Sequence, residues 1–332
     1  MNELTFSQAA SAQDASKQRS HAGAEILAGG TTQLDLMKCG VLTPSTLIDV
    51  LNVPDMNRID FSDQGIELGA LVRMSQLANH PQCQASAQAI YGSLWQAASP
   101  QIRNMATLGG NLRQRTRCGY YRDPATFSNC NKRTPGSGCA AIEGINRNHA
   151  ILGTSKQCIA TYPGDFAVAL TAFDATIVLT NSQGEQRRVS IHDFYKLPGD
   201  TPHIEHDLRD DEIISAITLP PESLLPLRQS HYLKVRDRAS YEFAAASAAV
   251  GLVLQGEVIS QVHIALGGVA TRPWRARNVE QALIGKRFDE KTLADAAQLV
   301  VEGAQAQTHN QFKVTLAPRV ITRALLVAGG RA

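Results

Sequence analysis

No apolar run in this 332-residue chain is long enough to cross a bilayer. The longest, FAAASAAVGLVL from Phe243 to Leu254, falls short of the roughly 20 residues a spanning helix needs. Neither sign of charge dominates: 32 basic residues face 30 acidic ones, which gives no reason to expect nucleic acid or an acidic membrane as partner. The first twenty residues lack a basic stretch followed by an apolar one, and they carry no twin arginine. The expectation is that the chain by itself stays in the cytoplasm, and becomes periplasmic only if a signal-bearing partner exports it. Internal repeats and low-complexity tracts are missing too. Also lacking are G-x-G-x-x-G, G-x-x-x-x-G-K-[ST] and C-x2-C, so Rossmann, Walker, zinc-finger and bacterial ferredoxin patterns do not apply.

What the chain does have is ordinary apolar content, 43%, and enough length for two or three cores. The opening reads as β-turn-α-β: an extended start at Leu4 to Phe6, a polar helix around Asp14 to His21, a strand in AEILAGG, a helix in TTQLDLMKCG and a strand in STLIDV. Thr31 or Thr32 is the natural N-cap of that second helix. Beyond about residue 55 come GIELGALVRMSQLANHP as strand, turn and helix, a helix around Ala87 to Ser99, and a helix from Asp165 to Phe173. ATIVLT, RRVSI and EIISAITLP then read as strands. Pro220 to Pro226 reads as a boundary, after which strands give way to amphipathic helices in the last 55 residues.

Two glycine pairs and four cysteines stand out. In ILAGGTTQLD, Gly29 and Gly30 permit close backbone approach, Thr31 and Thr32 offer hydroxyls, and a helix begins behind them. That is also the composition of a plain strand-to-helix turn. ATLGGNL repeats the chemistry with Thr107, Gly109, Gly110 and Asn111, and two such loops suit a diphosphate better than one. Cys118, Cys130, Cys139 and Cys158 fall within 41 residues of a chain that has six cysteines. Their surroundings, rich in Gly, Pro, Arg and Asn, predict a loop with little apolar surface, which metal ligation would fix in place. The spacing C-x11-C-x8-C-x18-C leaves a zinc tetrathiolate and an iron–sulfur cluster both open. Arg103, Arg113, Arg115, Arg117, Arg122 and Arg133 concentrate basic charge there, suited to offsetting an anionic cofactor or docking a partner. His149, His203, His206 and His231 read as surface residues, and Asp207 to Glu212 as an exposed acidic face.

AGGTTQLDLMK, ATLGGNL and KVRDRASYEFA together resemble the FAD-binding subunit of the molybdenum hydroxylase family, which includes xanthine dehydrogenase and aldehyde oxidoreductases. The resemblance spans essentially the entire chain. The cysteine-bearing stretch QRTRC, NCNKR and CIAT is similar to the inserted loop of bacterial periplasmic aldehyde oxidoreductases, whose flavin subunit carries a 4Fe-4S cluster. The resemblance implies an α+β fold: two α/β FAD subdomains of the vanillyl-alcohol-oxidase (PCMH) type, at 1–55 and 56–225, with the cluster loop inserted at about 113–160. A C-terminal flavoprotein domain with a small antiparallel sheet follows at 226–332. It implies FAD held by Leu27, Ala28, Gly29, Gly30, Thr31, Thr32, Gln33 and Leu34, aided by Thr107, Gly110 and Asn111. Asp165 and Lys234 match family positions at the ribityl and ring end. Cys118, Cys130, Cys139 and Cys158 match the 4Fe-4S ligands, and no catalytic residue is expected. The second loop reads LGGN where some relatives have AGGN or TAGN, a departure that keeps a small residue beside Asn111.

The implied activity is that of an oxidoreductase subunit in a heterotrimer. Electrons from aldehyde oxidation at a molybdenum cofactor in a large subunit would pass through a 2Fe-2S small subunit to FAD and on to an external acceptor. A xanthine dehydrogenase, or an aromatic acyl-CoA reductase of the 4-hydroxybenzoyl-CoA type, is the alternative within the family. A zinc-stabilised nucleotide-binding scaffold is the alternative of another class.

Overall fold

A computed structural model describes residues 3–331, so only the extreme ends of the first and last expected segments (1–2 and 332) lie outside it. Three sheets divide the chain. The first is parallel, with β1 (Thr5–Gln8) and β2 (Ala24–Leu27) on either side of β3 (Thr46–Asp49). The helix Ala12–Arg19 supplies one crossover and the short helix Gln33–Lys38 the other. Ser16 in the first of these helices is fully buried and donates to the Thr180 carbonyl at 2.7 Å, fastening this sheet to the next.

The second sheet is antiparallel in the order β4 (Ile59–Ser62), β5 (Gly65–Gly69), β8 (Glu212–Leu219), β6 (Thr176–Asn181), β7 (Gln186–Ser190). The strand β4 is a feature the sequence pattern did not announce, because only Ile59 and Phe61 carry its apolar side. The helix expected at Ala87 to Ser99 is present but shorter, at Gln88–Trp95. Pro81–Ser86 and Gln88–Trp95 are separate helices, and Pro100–Met105 follows, with Pro100 in its first turn capped by Ser99.

The third sheet runs β12 (Trp274–Arg275), β11 (Val258–Gly267), β10 (Ala246–Gln255), β9 (Ser230–Val235), all antiparallel, backed by the helix Phe312–Ala328. The expected boundary at Pro220 to Pro226 is packed, not loose. It forms a 3-10 turn (Pro221–Ser223) and a helix (Leu224–Arg228), with Leu227 buried and Ser223 donating to the Phe173 carbonyl at 2.7 Å. No helix among the described residues is long and apolar enough to cross a membrane.

The helix Asp165–Ala172 is buried at all eight positions. A helix apolar all round has no solvent face and must sit between layers. It does so here, between the helix Gln88–Trp95 and the third sheet. The approach is close enough that a Cβ on Gly267 would stand 2.6 Å from Val168.

Asp174, just after this helix, gathers charge from three later segments. His192 lies 2.6 Å away, Arg275 and Arg277 each 3.1 Å, and His263 3.9 Å. Burial pushes the Asp174 carboxyl up, but the His192 hydrogen bond and the charges of Arg275, His192 and Arg277 outweigh it and hold it at about 2. A carboxyl whose pKa is lower folded than unfolded stabilises the protein above its unfolded value and loses that contribution as pH falls. Asp174→Asn should therefore flatten the acid limb of the stability profile between about pH 4 and pH 2. Thermal melts across that range check it, and an unchanged slope would refute the pairing.

Candidate functional site

Two glycine loops face one cavity of about 560 Å³. Ala28, Gly29, Gly30, Thr31, Thr32 and Gln33 line it from one side, and Thr107, Gly110 and Asn111 from another, with Asp165 and Lys234 at the wall of the third sheet. Leu27 and Leu34 do not line it. Both side chains lie beside Gly30 of their own loop instead, where an added Cβ would meet Leu34 at 3.2 Å and Leu27 at 3.4 Å. Gly29 presses its α-carbon against the second loop's approach: a Cβ there would sit 2.0 Å from the Met105 carbonyl oxygen. Gly30 has φ of 69°, in the left-handed region.

The expected caps are divided between the loops. Thr32 precedes the helix Gln33–Lys38 without a side-chain cap, so the hydroxyls of the first loop are not consumed by the helix end. Thr107 instead accepts from Gly110 N at 3.3 Å, because ATLGGNL forms a short helix, Leu108–Leu112, and not a strand end.

Where β9 meets the helix Asp165–Ala172, a buried ion pair closes the cavity. Lys234 Nζ donates to Asp165 Oδ2 at 2.7 Å and to the Gln96 carbonyl at 3.1 Å, while the Tyr232 hydroxyl donates to Asp165 Oδ1 at 2.6 Å. The carboxylate thus has both oxygens bonded, as a buried charge requires. Positive charge on the cavity's other side is less well matched. Arg113 lines it with its Nε unpartnered, and burial, followed by the nearby Arg19, lowers its pKa to about 10. Arg117 also lines the cavity, bonded to Asp35 at 3.0 Å and stacked over Phe243. Arg122 pairs with the same Asp35, so the cysteine loop is tied to the helix behind the first glycine loop.

The cysteine loop lies in the crossover from β5 to β6. Cys118 caps the short helix Gly119–Arg122, and Cys130 and Cys139 form an isolated antiparallel bridge. Asn131 donates to the Gln157 carbonyl at 3.0 Å, bringing the Cys158 segment alongside. Cys118 packs against the apolar cluster that holds Cys130, so these contacts together bring the four cysteine segments into one locality. All six cysteines are free. Burial pushes the Cys118 thiol up to about 12 and the Cys158 thiol upward as well. Among the described residues no three His, Cys, Asp or Glu side chains are grouped to hold a single metal ion.

The expectation that metal ligation is needed to fix this loop is corrected. Arg133 donates to the carbonyls of Tyr120, Tyr121, Phe127 and Ser128, and Tyr121 packs with Leu36 and Cys130 in a small apolar cluster. Internal hydrogen bonds already hold much of it. The basic concentration therefore splits: Arg133 and the buried Arg103, bonded to the Ala97 carbonyl, brace backbone, while Arg113 and Arg117 face the cavity.

Three further expectations fail. His206 packs its ring against Phe194 and Tyr195, with Nε2 buried and unpartnered. His149 is buried, not on the surface, with Nε2 3.2 Å from Cys118 Sγ. Burial, then the charge of Lys313, lowers its pKa to about 4, so the ring is neutral at physiological pH. Glu212 is 1% exposed and held by Arg187 at 2.7 Å, with Asp207 as the arginine's other partner, because residue 212 begins a central strand. A run of like charges in sequence cannot reveal which member the fold turns inward.

A family model described as the FAD binding domain in molybdopterin dehydrogenase matches residues 2–222, and one described as the CO dehydrogenase flavoprotein C-terminal domain matches 231–328. The chain is 44% identical over 316 residues to the aldehyde oxidoreductase FAD-binding subunit PaoB of Escherichia coli K12, covering 93% of both chains. It is 27% identical to the glyceraldehyde dehydrogenase medium chain of Sulfolobus acidocaldarius, covering 82% of this chain and 78% of that one. The structure of quinoline 2-oxidoreductase from Pseudomonas putida 86 aligns with a TM-score of 0.75 at 25% identity, covering 99% of this chain and 98% of that one. Carbon monoxide dehydrogenase from Hydrogenophaga pseudoflava aligns over 100% of this chain and 99% of that one, with a TM-score of 0.76 at 23% identity, a likeness of fold. The α+β architecture is that of a flavin-binding subunit of an oxidoreductase. The chain belongs to the FAD-binding subunits of the molybdenum hydroxylase family.

Gly29→Ala should force the two glycine loops apart. The purified variant is expected to retain its fold by circular dichroism but to carry under a tenth of the wild-type flavin, read from its visible absorbance. Lys234→Met strands the Asp165 carboxylate, at a cost of about 3 kcal/mol in chemical denaturation. Adding Asp165→Asn to that variant should recover part of the loss.

Proposed function

We propose that this chain is the electron-transfer subunit of a molybdenum-dependent aldehyde oxidoreductase, carrying FAD and a 4Fe-4S cluster. One observation carries the reading: four free cysteines, scattered over 41 residues, gather in one locality beside a cavity built from two glycine loops. The 44% identity to a protein named as an aldehyde oxidoreductase FAD-binding subunit supports the choice of aldehyde chemistry. In this reading the segment Leu27 to Leu34 holds the FAD diphosphate. Ala28 to Gln33 face the diphosphate while Leu27 and Leu34 pack behind, with Thr107, Gly110 and Asn111 opposite. Asp165 and Lys234 fix the ribityl and ring end, and Arg113 offsets the diphosphate's charge.

When bound, FAD supplies a two-electron store and the cluster a one-electron one. The protein's own work is to orient the ring, to keep the Asp165–Lys234 pair dry at its end, and to supply four thiolates. In this reading Cys118, Cys130, Cys139 and Cys158 each bind a different iron. Thiolates on one zinc ion stand about 4 Å apart, whereas in a cluster each binds a different iron and they lie further from one another. The lack of a single-ion ligand group among the described residues leaves that arrangement open.

The same reading divides the chain near residues 55 and 225, a division the three sheets support. It assigns aldehyde oxidation to a large subunit holding the molybdenum cofactor, reached through a small 2Fe-2S subunit, with an external acceptor reduced at the flavin. The two family matches, at residues 2–222 and 231–328, take up nearly all of the 332 residues.

Purification under anaerobic conditions tests this directly. Flavin, four irons and sulfide per chain are expected, and added aldehyde should bleach the flavin of the assembled complex. Cys130→Ser should lose the iron while keeping FAD. A colourless chain holding zinc would overturn the proposal, and a flavin reduced only by a strong external donor would favour an acyl-CoA reductase.

A further inference from the structure

Behind Cys118 lies a group of polar residues that the cavity of the two glycine loops does not use. His149 turns Nε2 toward the Cys118 sulfur at 3.2 Å, and its other ring nitrogen, Nδ1, is buried without a partner. A cysteine thiolate is a stronger acceptor than the Asn146 carbonyl near the ring, which favours a proton on Nε2, pointed at the Cys118 sulfur.

The His149 backbone is held from the far end of the chain. At the start of the helix Phe312–Ala328, Lys313 is 1% exposed and donates to the His149 carbonyl at 3.0 Å and the Gly268 carbonyl at 2.6 Å. Asn310 donates to the carbonyls of His149 and Ala150, each at 3.2 Å, and Asn146 Oδ1 accepts from His309 N at 3.0 Å. Among the described residues Lys313 forms no ion pair. A buried ammonium with carbonyl acceptors but no carboxylate is an incomplete arrangement, since buried cations normally face an anion. Burial, followed by Arg147, lowers the Lys313 pKa to about 7 in this setting.

We propose that His149 and Lys313 are positioning residues for the cysteine centre, with the imidazole donating a hydrogen bond to the Cys118 sulfur and the buried ammonium supplying the charge that the centre's thiolates lack. The inference rests on the iron–sulfur reading above. Four thiolates outweigh the charge of an oxidised cluster core, so the centre is an anion, and more so once reduced. A donor to sulfur and a nearby cation both favour the reduced form and raise the potential. In this way the C-terminal domain sets the electron affinity of a centre whose ligands all lie some 150 or more residues earlier.

The test is the midpoint potential of the centre, followed by EPR during a redox titration of the full chain purified anaerobically with the subunits it carries. Lys313→Met and His149→Phe should each move it to a more negative value at unchanged iron content, while Lys313→Arg stays near wild type. Clusters retained at the wild-type potential in both Lys313→Met and His149→Phe would overturn the inference. Should His149→Phe lose its iron, His149→Gln decides. A cluster kept near the wild-type potential supports the sulfur hydrogen bond, and loss in both overturns it. Wild-type protein without iron defeats the iron–sulfur reading itself, a result distinct from any of these.

Discussion

The arrangement turns on a carboxylate buried at the wall of the cavity. Asp165 opens a helix buried on every side, and its charge is tolerable only because Lys234 and Tyr232, from the third sheet, bond both its oxygens. Removing either partner of such a pair costs about 3–5 kcal/mol, while the intact pair adds little net stability. Its value is therefore positional. It fixes how the third sheet sits against the helix, and so places Lys234 at the wall of the cavity that the two glycine loops shape from the other side.

The cysteine loop is joined to that cavity at several points. Arg117 and Arg122 reach Asp35 behind the first glycine loop, Arg117 stacks on Phe243 at the cavity wall, and His149 binds the loop's back to the C-terminal helix. A second cavity, of about 530 Å³, runs from Cys118 and His149 to Asp165 and shares Arg117 and Phe243 with the first. The two cavities are neighbours built from common residues, the arrangement that the proposed pair of redox groups would require.

Local pattern made much of this legible. Alternation in ATIVLT and RRVSI announces the β6–β7 hairpin, and the apolar run after Asp165 announces the central helix. The glycine pairs point to close backbone approach, which Gly29 against Met105 displays. The failures share one cause. His149 beside Cys118, Glu212 beneath Arg187, and Arg133 among four carbonyls are polar residues whose partners lie at unrelated positions in the chain. A loop without apolar periodicity looked unsupported because hydrogen bonds to backbone carbonyls leave no trace in composition.

Residue type and spacing alone determined which backbone can bend closely, which segments are helix or strand, and which four side chains can offer thiolates. Those properties are local, set by φ/ψ freedom and side-chain chemistry. Only the tertiary structure decided which charges are buried and what neutralises them, because desolvation depends on everything packed around a group. Lys313 is the clearest instance: an unremarkable lysine in an amphipathic helix, it becomes a buried cation behind Cys118 once the last helix folds back against the cysteine loop.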